Sequence, residues 1–272
     1  MDGVRHHVQS PDGVDIGLLT AGSGPPLLLV HGGVGQIERW EPVWDSLAAR
    51  WEVTAMDRRG RGSSGDGSGY AIADEFGDLA AVARFLAEAA GRPVDVFGHS
   101  FGATCAIGAS GAGAPFRRAV LYEPPAMQTV SVEYVDRLAG MVDEGRAGKA
   151  MVSFLMEVIG LTTEEVDALR DSPPNYDIVA VLVATLPREA RALQGLDLAA
   201  LAREVTCPTR FLLGETTPGW AHVITRATSE AMPDADVVVL PGLGHEAIDA
   251  APDLVVGELA RFLDPPVADL PG

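Results

Sequence analysis

Asp95-Val-Phe-Gly-His-Ser-Phe-Gly-Ala103 is the stretch that decides the fold of this chain. The apolar run Val94 to Phe97 ends in Gly-x-Ser-x-Gly and leads straight into Ala103 to Ala109, small residues suited to a closely packed helix. A serine held at so tight a strand-to-helix turn projects its Oγ beyond the sheet edge, and Gly98 and Gly102 leave room where the backbone reverses. Ser100 is therefore the candidate nucleophile. Gly-x-Ser-x-Gly alone is common in loops; the strand before it and the helix after it give it weight here.

A serine hydroxyl is a poor nucleophile at neutral pH. It needs a base, a group that orients the base, and donors for the developing oxyanion. His245 lies in Leu240-Pro-Gly-Leu-Gly-His-Glu246, a glycine-rich loop after the apolar run Val237 to Leu240, which brings an imidazole to the same sheet edge. Leu27-Leu-Leu-Val-His-Gly-Gly-Val-Gly35 is an apolar strand that breaks into glycines, baring backbone N–H groups to a substrate oxygen. By position, Gly33 and Phe101 are the expected oxyanion-hole donors.

Four landmarks now stand in order: His31-Gly-Gly, Asp57-Arg-Arg-Gly-Arg-Gly-Ser-Ser, Gly98-His-Ser-Phe-Gly and Gly244-His245. In these the chain resembles the α/β-hydrolase superfamily, over nearly its whole length. The resemblance implies an α/β fold with a mainly parallel twisted sheet flanked by helices, and a helical cap inserted after the sixth core strand. On that reading residues 1–124 and 207–272 form the core and 125–206 the cap. It also implies a Ser–acid–His triad in that chain order, and a cofactor-independent serine hydrolase acting on a neutral, largely apolar ester or lactone through an acyl-enzyme on Ser100.

The acid departs from the commoner pattern, in which an Asp follows the next-to-last core strand. Here Thr209 to Leu213 continues as Gly214-Glu-Thr-Thr-Pro-Gly219, with Thr217 near the place where Asp is usual. Glu123 is the better candidate, because it closes the strand-like run Arg118-Ala-Val-Leu-Tyr-Glu-Pro-Pro125 at the carboxyl edge, where open α/β sheets carry their sites. Glu215 and Asp249 remain alternatives, and Glu123 could instead cap the first turn of the cap. Lactonases that open zearalenone are similar to this chain in placing a Glu, within Glu-x-Pro, at that strand.

Composition bounds the rest. A chain of 272 residues, 47% of them hydrophobic, suits one large core with a cap. The formal net charge of −18 opposes nucleic acid or an anionic membrane as partner, and a small-molecule substrate is expected. Arg58, Arg59 and Arg61 read as a solvated or internally paired loop beside Asp57 rather than a phosphate site. Cys105 and Cys207 lack disulfide or metal spacing and read as small buried hydrophobes. His6 and His7 point to opposite faces of a strand and cannot chelate one ion together. His31 is expected to bond locally, and His99 holds the variable position of the elbow. With neither a Gly-Lys-Ser/Thr loop nor a dinucleotide fingerprint, no cofactor and no metal are expected. The first residues lack a signal-peptide apolar region, so a cytoplasmic location is expected. Composition leaves monomer and homodimer open.

Along the chain, Arg5–Gln9 and Val14–Thr20 flank Ser10-Pro-Asp-Gly13 as a hairpin. Leu27–Val30 and Val53–Met56 are core strands with a helix near 40–50 between them, and Ile72–Ala90 carries apolar residues at helical spacing. That alternation gives a parallel sheet. Segments 132–144, 147–159, 163–170 and 188–193 are expected cap helices, with a capping-box start at Thr162-Thr-Glu-Glu165. Residues 253–263 form the last helix, and the tail from Asp264 is expected to fray. Trp40, Met127, Phe154, Met156 and Trp220 are expected to line the pocket, where methionines would adapt to bulky apolar groups. Two readings compete with hydrolysis: acyl transfer or cyclisation, in which another alcohol replaces water, and small-molecule binding without turnover. Epoxide or haloalkane hydrolysis is disfavoured, because members with that chemistry carry a carboxylate where this chain has Ser100.

Overall fold

Both faces of the central strands are apolar, so the sheet has to be covered on both sides. A computed structural model describes residues 1–171 and 176–264 and shows how. The strands are β1 (Val4–Gln9), β2 (Asp15–Ala21), β3 (Pro26–Val30), β4 (Glu52–Met56), β5 (Val94–His99), β6 (Phe116–Tyr122), β7 (Thr209–Gly214) and β8 (Ala235–Leu240). They form one eight-stranded sheet in the order β1-β2-β4-β3-β5-β6-β7-β8. The β1–β2 hairpin is antiparallel, as is its junction with β4, and β3 to β8 are parallel.

Alternation along β3 sorts its side chains to the two faces. Leu28 and Val30 join Val96, Leu121 and Phe211 on one side, beneath α2 (Ile72–Ala90) and α3 (Phe101–Gly111). Leu27 and Leu29 join Phe97, Val120 and Leu212 on the other, packed on Trp40, Trp44, Trp51 and the closing helix Pro252–Leu263. The expected helix near 40–50 is a 3₁₀ turn, Ile37–Trp40, followed by the short helix α1 (Trp44–Ala48). The last eight residues, including the tail expected to fray, lie outside the described residues.

The chain leaves β6 and enters α4 (Val132–Asp143), α5 (Ala147–Phe154), α6 (Thr163–Asp171), α7 (Tyr176–Ala184) and α8 (Leu186–Leu193). Tyr134, Leu138, Met141, Ala150, Val158, Val183 and Leu186 from these elements gather into a small core of their own. Thr162 and Glu165 form the expected reciprocal cap: the Glu165 N–H donates to Thr162 Oγ1 at 3.2 Å and the Thr162 N–H to Glu165 Oε2 at 2.7 Å. The segment expected as cap extends to residue 206, and its last part joins the main core. α9 (Leu198–Ala202) packs on α3 and α10 (Gly219–Ala231), and Leu198, Ala202 and Val205 belong to the main core. Past Phe154 the helix widens into a π-helical turn, Leu155–Ile159, closed by the Leu161 N–H on Leu155 O at 2.9 Å. No helix among the described residues is long and apolar enough to cross a membrane.

Candidate active site

The parallel strands end together, and their carboxyl ends deliver every landmark to one place. Ser100 follows β5 directly, at φ 53 and ψ −123, and opens α3. A Cβ on Gly102 would sit 2.1 Å from the Val30 carbonyl oxygen, and one on Gly98 would sit 2.7 Å from Ala103 Cα. Both contacts are with backbone, so the turn accepts only glycine at either position. Phe101 is the first residue of α3, so its N–H has no intrahelical carbonyl to bond.

In the sheet register His99 pairs with Tyr122, which places Ser100 and Glu123 side by side on adjacent strand ends. Glu123 is fully buried. Its Oε1 accepts the Gly214 N–H at 2.7 Å, and its Oε2 accepts Thr217 Oγ1–H at 2.9 Å and His245 Nδ1–H at 2.5 Å. With Nδ1 donating, Nε2 is the lone-pair nitrogen. The loop that carries His245 is fastened from both sides by Tyr122, whose hydroxyl donates to the Gly244 carbonyl and accepts the Ala247 N–H at 3.3 Å. Thr217, which stands near the place where Asp is usual, donates its hydroxyl to Glu123. The two alternative acids lie elsewhere: Glu215 is exposed and accepts the Gly242 N–H, and Asp249 pairs with Arg39 at 2.7 Å.

Val34, Ser100 and Glu123 are the three described non-glycine residues with left-handed backbone, at φ 48, 53 and 48. All three sit at this strand edge. Such conformations cost on the order of 1–3 kcal/mol each and persist where the surroundings over-determine them.

Two cavities meet at Ser100. The outer one, about 560 Å³, is lined by His245, His99, Arg39, Phe154, Leu155 and Ile159 among others, with Glu165, Glu246 and Asp249 on its walls. The inner one, about 40 Å³, is lined by Gly33, Phe101, Val130, Leu186, Glu189 and Trp220 among others. Of the five residues expected to line the pocket, Phe154 borders both cavities and Trp220 the inner one, and the other three border neither. Trp40 is fully buried in the core with its ring 5.2 Å from Phe97. Met127 faces a separate surface cleft beside Leu196 and Val223. Met156 is exposed and lines neither cavity, because the π-helical turn brings Leu155 and Ile159 inward instead.

The arginine run is internally paired, and it is buried rather than solvated. Arg59 donates to Asp78 at 2.7 Å. Arg58 bridges Glu75 at 3.0 Å and Glu189 at 2.9 Å, and Arg61 reaches Glu189 at 2.8 Å. Burial pushes the Glu75 carboxyl up to about 7 against the pull of Arg58. His31 bonds locally as expected: Nδ1 donates to Gly32 O at 2.9 Å and Nε2 accepts the Arg58 N–H at 3.1 Å. Burial, reinforced by Arg58, holds His31 well below the ordinary imidazole range and so neutral. His99 is also kept neutral, by burial and by His245. Both cysteines are free; Cys105 is buried and Cys207 partly exposed. No cluster of His, Cys, Asp and Glu among the described residues could hold a metal ion.

Comparison with known proteins agrees with this architecture. The chain matches the model of the alpha/beta hydrolase family over residues 27–258 and belongs to that family. It is 29% identical over 269 residues to 2-(acetamidomethylene)succinate hydrolase of Mesorhizobium japonicum, across 92% of this chain and 94% of that protein. N-formylmaleamate deformylase of Pseudomonas putida is 32% identical over 149 residues, about half of each chain. Among solved structures, an alpha/beta hydrolase of Sphaerobacter thermophilus superposes with a TM-score of 0.80 at 32% identity, covering 95% of this chain and all of that one. The chain is thus a hydrolase of this fold.

Proposed function

We propose that the protein is a serine hydrolase of neutral esters or lactones that works through an acyl-enzyme on Ser100. The observation that carries this reading is the 2.5 Å contact of His245 Nδ1 with Glu123 Oε2, made by a carboxylate that Gly214 and Thr217 already hold rigid. That contact fixes the imidazole in the one tautomer able to accept a hydroxyl proton at Nε2.

The reaction follows from the parts. Ser100 Oγ attacks the carbonyl carbon while its proton passes to His245 Nε2, and the imidazolium is stabilised by Glu123. The carbonyl π electrons move to oxygen, where the N–H groups of Gly33 and Phe101 receive the charge. Collapse breaks the bond to the leaving oxygen, which takes the proton from His245 and departs as an alcohol. Water then attacks the acyl-serine, giving its proton to His245, and the second collapse returns that proton to Ser100 and releases the acid.

The outer cavity supports an uncharged substrate. Its cationic lining residue, Arg39, is engaged by Asp249, while Glu165 and Glu246 add negative charge. Such walls disfavour a dianion like the succinate named for the Mesorhizobium relative, and suit an uncharged, largely apolar molecule.

A fluorophosphonate probe followed by mass spectrometry tests the nucleophile. Labelling at Ser100, abolished in Ser100→Ala, supports the reading. A folded protein that takes up no label, or takes it up elsewhere, refutes it.

A further inference from the structure

Glu189, on cap helix α8, is 1% exposed and does two different things with its two oxygens. Oε1 is saturated: it accepts Arg58 Nη2–H at 2.9 Å, Arg61 Nη2–H at 2.8 Å and Thr185 Oγ1–H at 2.8 Å. Oε2 is buried and has no hydrogen-bond partner among the described residues. Glu189 lines the inner cavity beside the loop that carries Gly33, and a Cβ built on Gly33 would stand 3.7 Å from Oε2. A buried carboxylate oxygen without a donor is costly, and a native fold retains one where something else supplies the donor. The other walls are mostly apolar, among them Val130, Phe154, Leu186, Ala190 and Trp220, and Glu189 is the one charged residue among the described residues lining that space.

The side of the scissile bond that enters this space is fixed by His245. As the acid that protonates the departing oxygen, His245 must face the leaving group, and it lines the outer cavity and not the inner one. The acyl group therefore turns inward, past Phe101 and Gly33, toward Glu189. At about 40 Å³ the inner cavity accommodates a chain of roughly two or three heavy atoms.

Resting on the hydrolase reading above, we propose that the inner cavity is an acyl subsite for a short acyl group carrying a neutral hydrogen-bond donor on its α or β carbon, as in a hydroxyacyl ester, with Glu189 Oε2 as the acceptor. A cationic donor is excluded by the company Glu189 keeps. Arg58 and Arg61 both contact its other oxygen, so an ammonium placed there would meet two guanidinium groups. Although burial alone would raise its pKa, those arginines hold Glu189 down to about 2, so it remains an acceptor throughout the neutral range.

Substrate pairs that swap a hydroxyl for a methyl group provide the test. Wild-type kcat/KM is measured for 4-nitrophenyl hydroxyacetate against propionate and for 3-hydroxypropionate against butyrate, each divided by the ester's own hydroxide-catalysed rate. The hydroxy ester is expected to win by about tenfold or more in at least one pair, the size of effect a site built for a donor produces. In Glu189→Gln the amide oxygen can keep Arg58, Arg61 and Thr185 while its NH₂ turns to the cavity, and the preference should fall to within about threefold of unity. Thermal melting and the rate of fluorophosphonate labelling establish that this variant is folded; if it is not, the wild-type pairs decide alone. Turnover of all four esters without preference for the hydroxyl overturns the assignment of Glu189 and leaves the hydrolase reading standing. Turnover of none, with Ser100 unlabelled, overturns both.

Discussion

Replacing Glu123 by Gln should stop the chemistry while leaving the fold almost untouched, and the hydrogen bonds around the carboxylate give the reason. Oε1 has one donor, the Gly214 N–H, and Oε2 has two, Thr217 Oγ1–H and His245 Nδ1–H. A glutamine has two ways to sit. With its oxygen in the Oε2 position, the NH₂ faces the Gly214 N–H and two buried donors collide, at a cost of about 1–3 kcal/mol for the unsatisfied group. With its oxygen toward Gly214, the NH₂ donates to His245 Nδ1 and to Thr217 Oγ1, and every partner is satisfied. The second arrangement wins, and it forces His245 into the tautomer with its proton on Nε2, which cannot accept one from Ser100. Loss of a triad carboxylate in this manner lowers kcat by on the order of 10⁴, about 5 kcal/mol of barrier. The assay is steady-state hydrolysis of 4-nitrophenyl acetate, with urea unfolding of the same preparations and Glu215→Gln as control. Glu215 is exposed and bonds only the Gly242 N–H, so that variant should keep a rate within about threefold of wild type. A folded Glu123→Gln within tenfold of wild type, or a Glu215→Gln that is the more impaired of the two, would refute the reasoning.

Three further outcomes follow from the same geometry. Thr217→Val removes one charge-assisted donor from Glu123 and should cost about tenfold in kcat, with Thr217→Ser restoring most of it; equal rates in all three proteins would show that the hydroxyl is idle. Gly102→Ala should reach or exceed the upper end of the ~1–3 kcal/mol range for overpacking, since its Cβ would meet backbone at 2.1 Å; a melting temperature within 2–3 °C of wild type, on the order of 1 kcal/mol or less, would contradict the tight turn. Glu75 holds its proton up to about 7 when folded and releases it near the ordinary carboxylate value when unfolded. Between those values the native state is the more protonated, so this group's contribution to stability declines as pH rises from about 5 to about 7. Urea titrations at pH 5, 6 and 7 should show that decline in wild type and a flatter profile in Glu75→Gln; parallel profiles would argue against it.

What the sequence revealed and what it hid divide along physical lines. The elbow at Ser100 was legible because two glycines are demanded within five residues, and sterics that local leave a local mark. Glu123 was legible because strand ends in a parallel sheet are predictable places. Trp40 misled because a tryptophan beyond a strand reads equally as a pocket wall or as core, and only packing on Phe97 decides. Met127 and Met156 misled for a related reason: the helices after β6 are amphipathic about axes whose rotation the sequence does not fix, and in the π-helical turn at 155–159 Leu155 and Ile159, not Met156, line the outer cavity. Glu189 was hidden because its partners Arg58 and Arg61 lie 131 and 128 residues away, with no local signature joining them. The basic run left solvation and internal pairing open, and its charges are buried and paired because carboxylates from α2 and α8 converge on them.

The clustering of left-handed backbone at Val34, Ser100 and Glu123 bears on how this protein can be improved. Glycine would relax each of these positions, and at Ser100 and Glu123 it would remove the proposed nucleophile or the proposed acid. Heat resistance and turnover are therefore opposed at these sites, and a screen that rewards survival alone will drift toward a tougher protein that does nothing. Libraries built for thermal tolerance should hold the codons of Ser100 and Glu123 constant and seek their gains on the helices that cover the sheet.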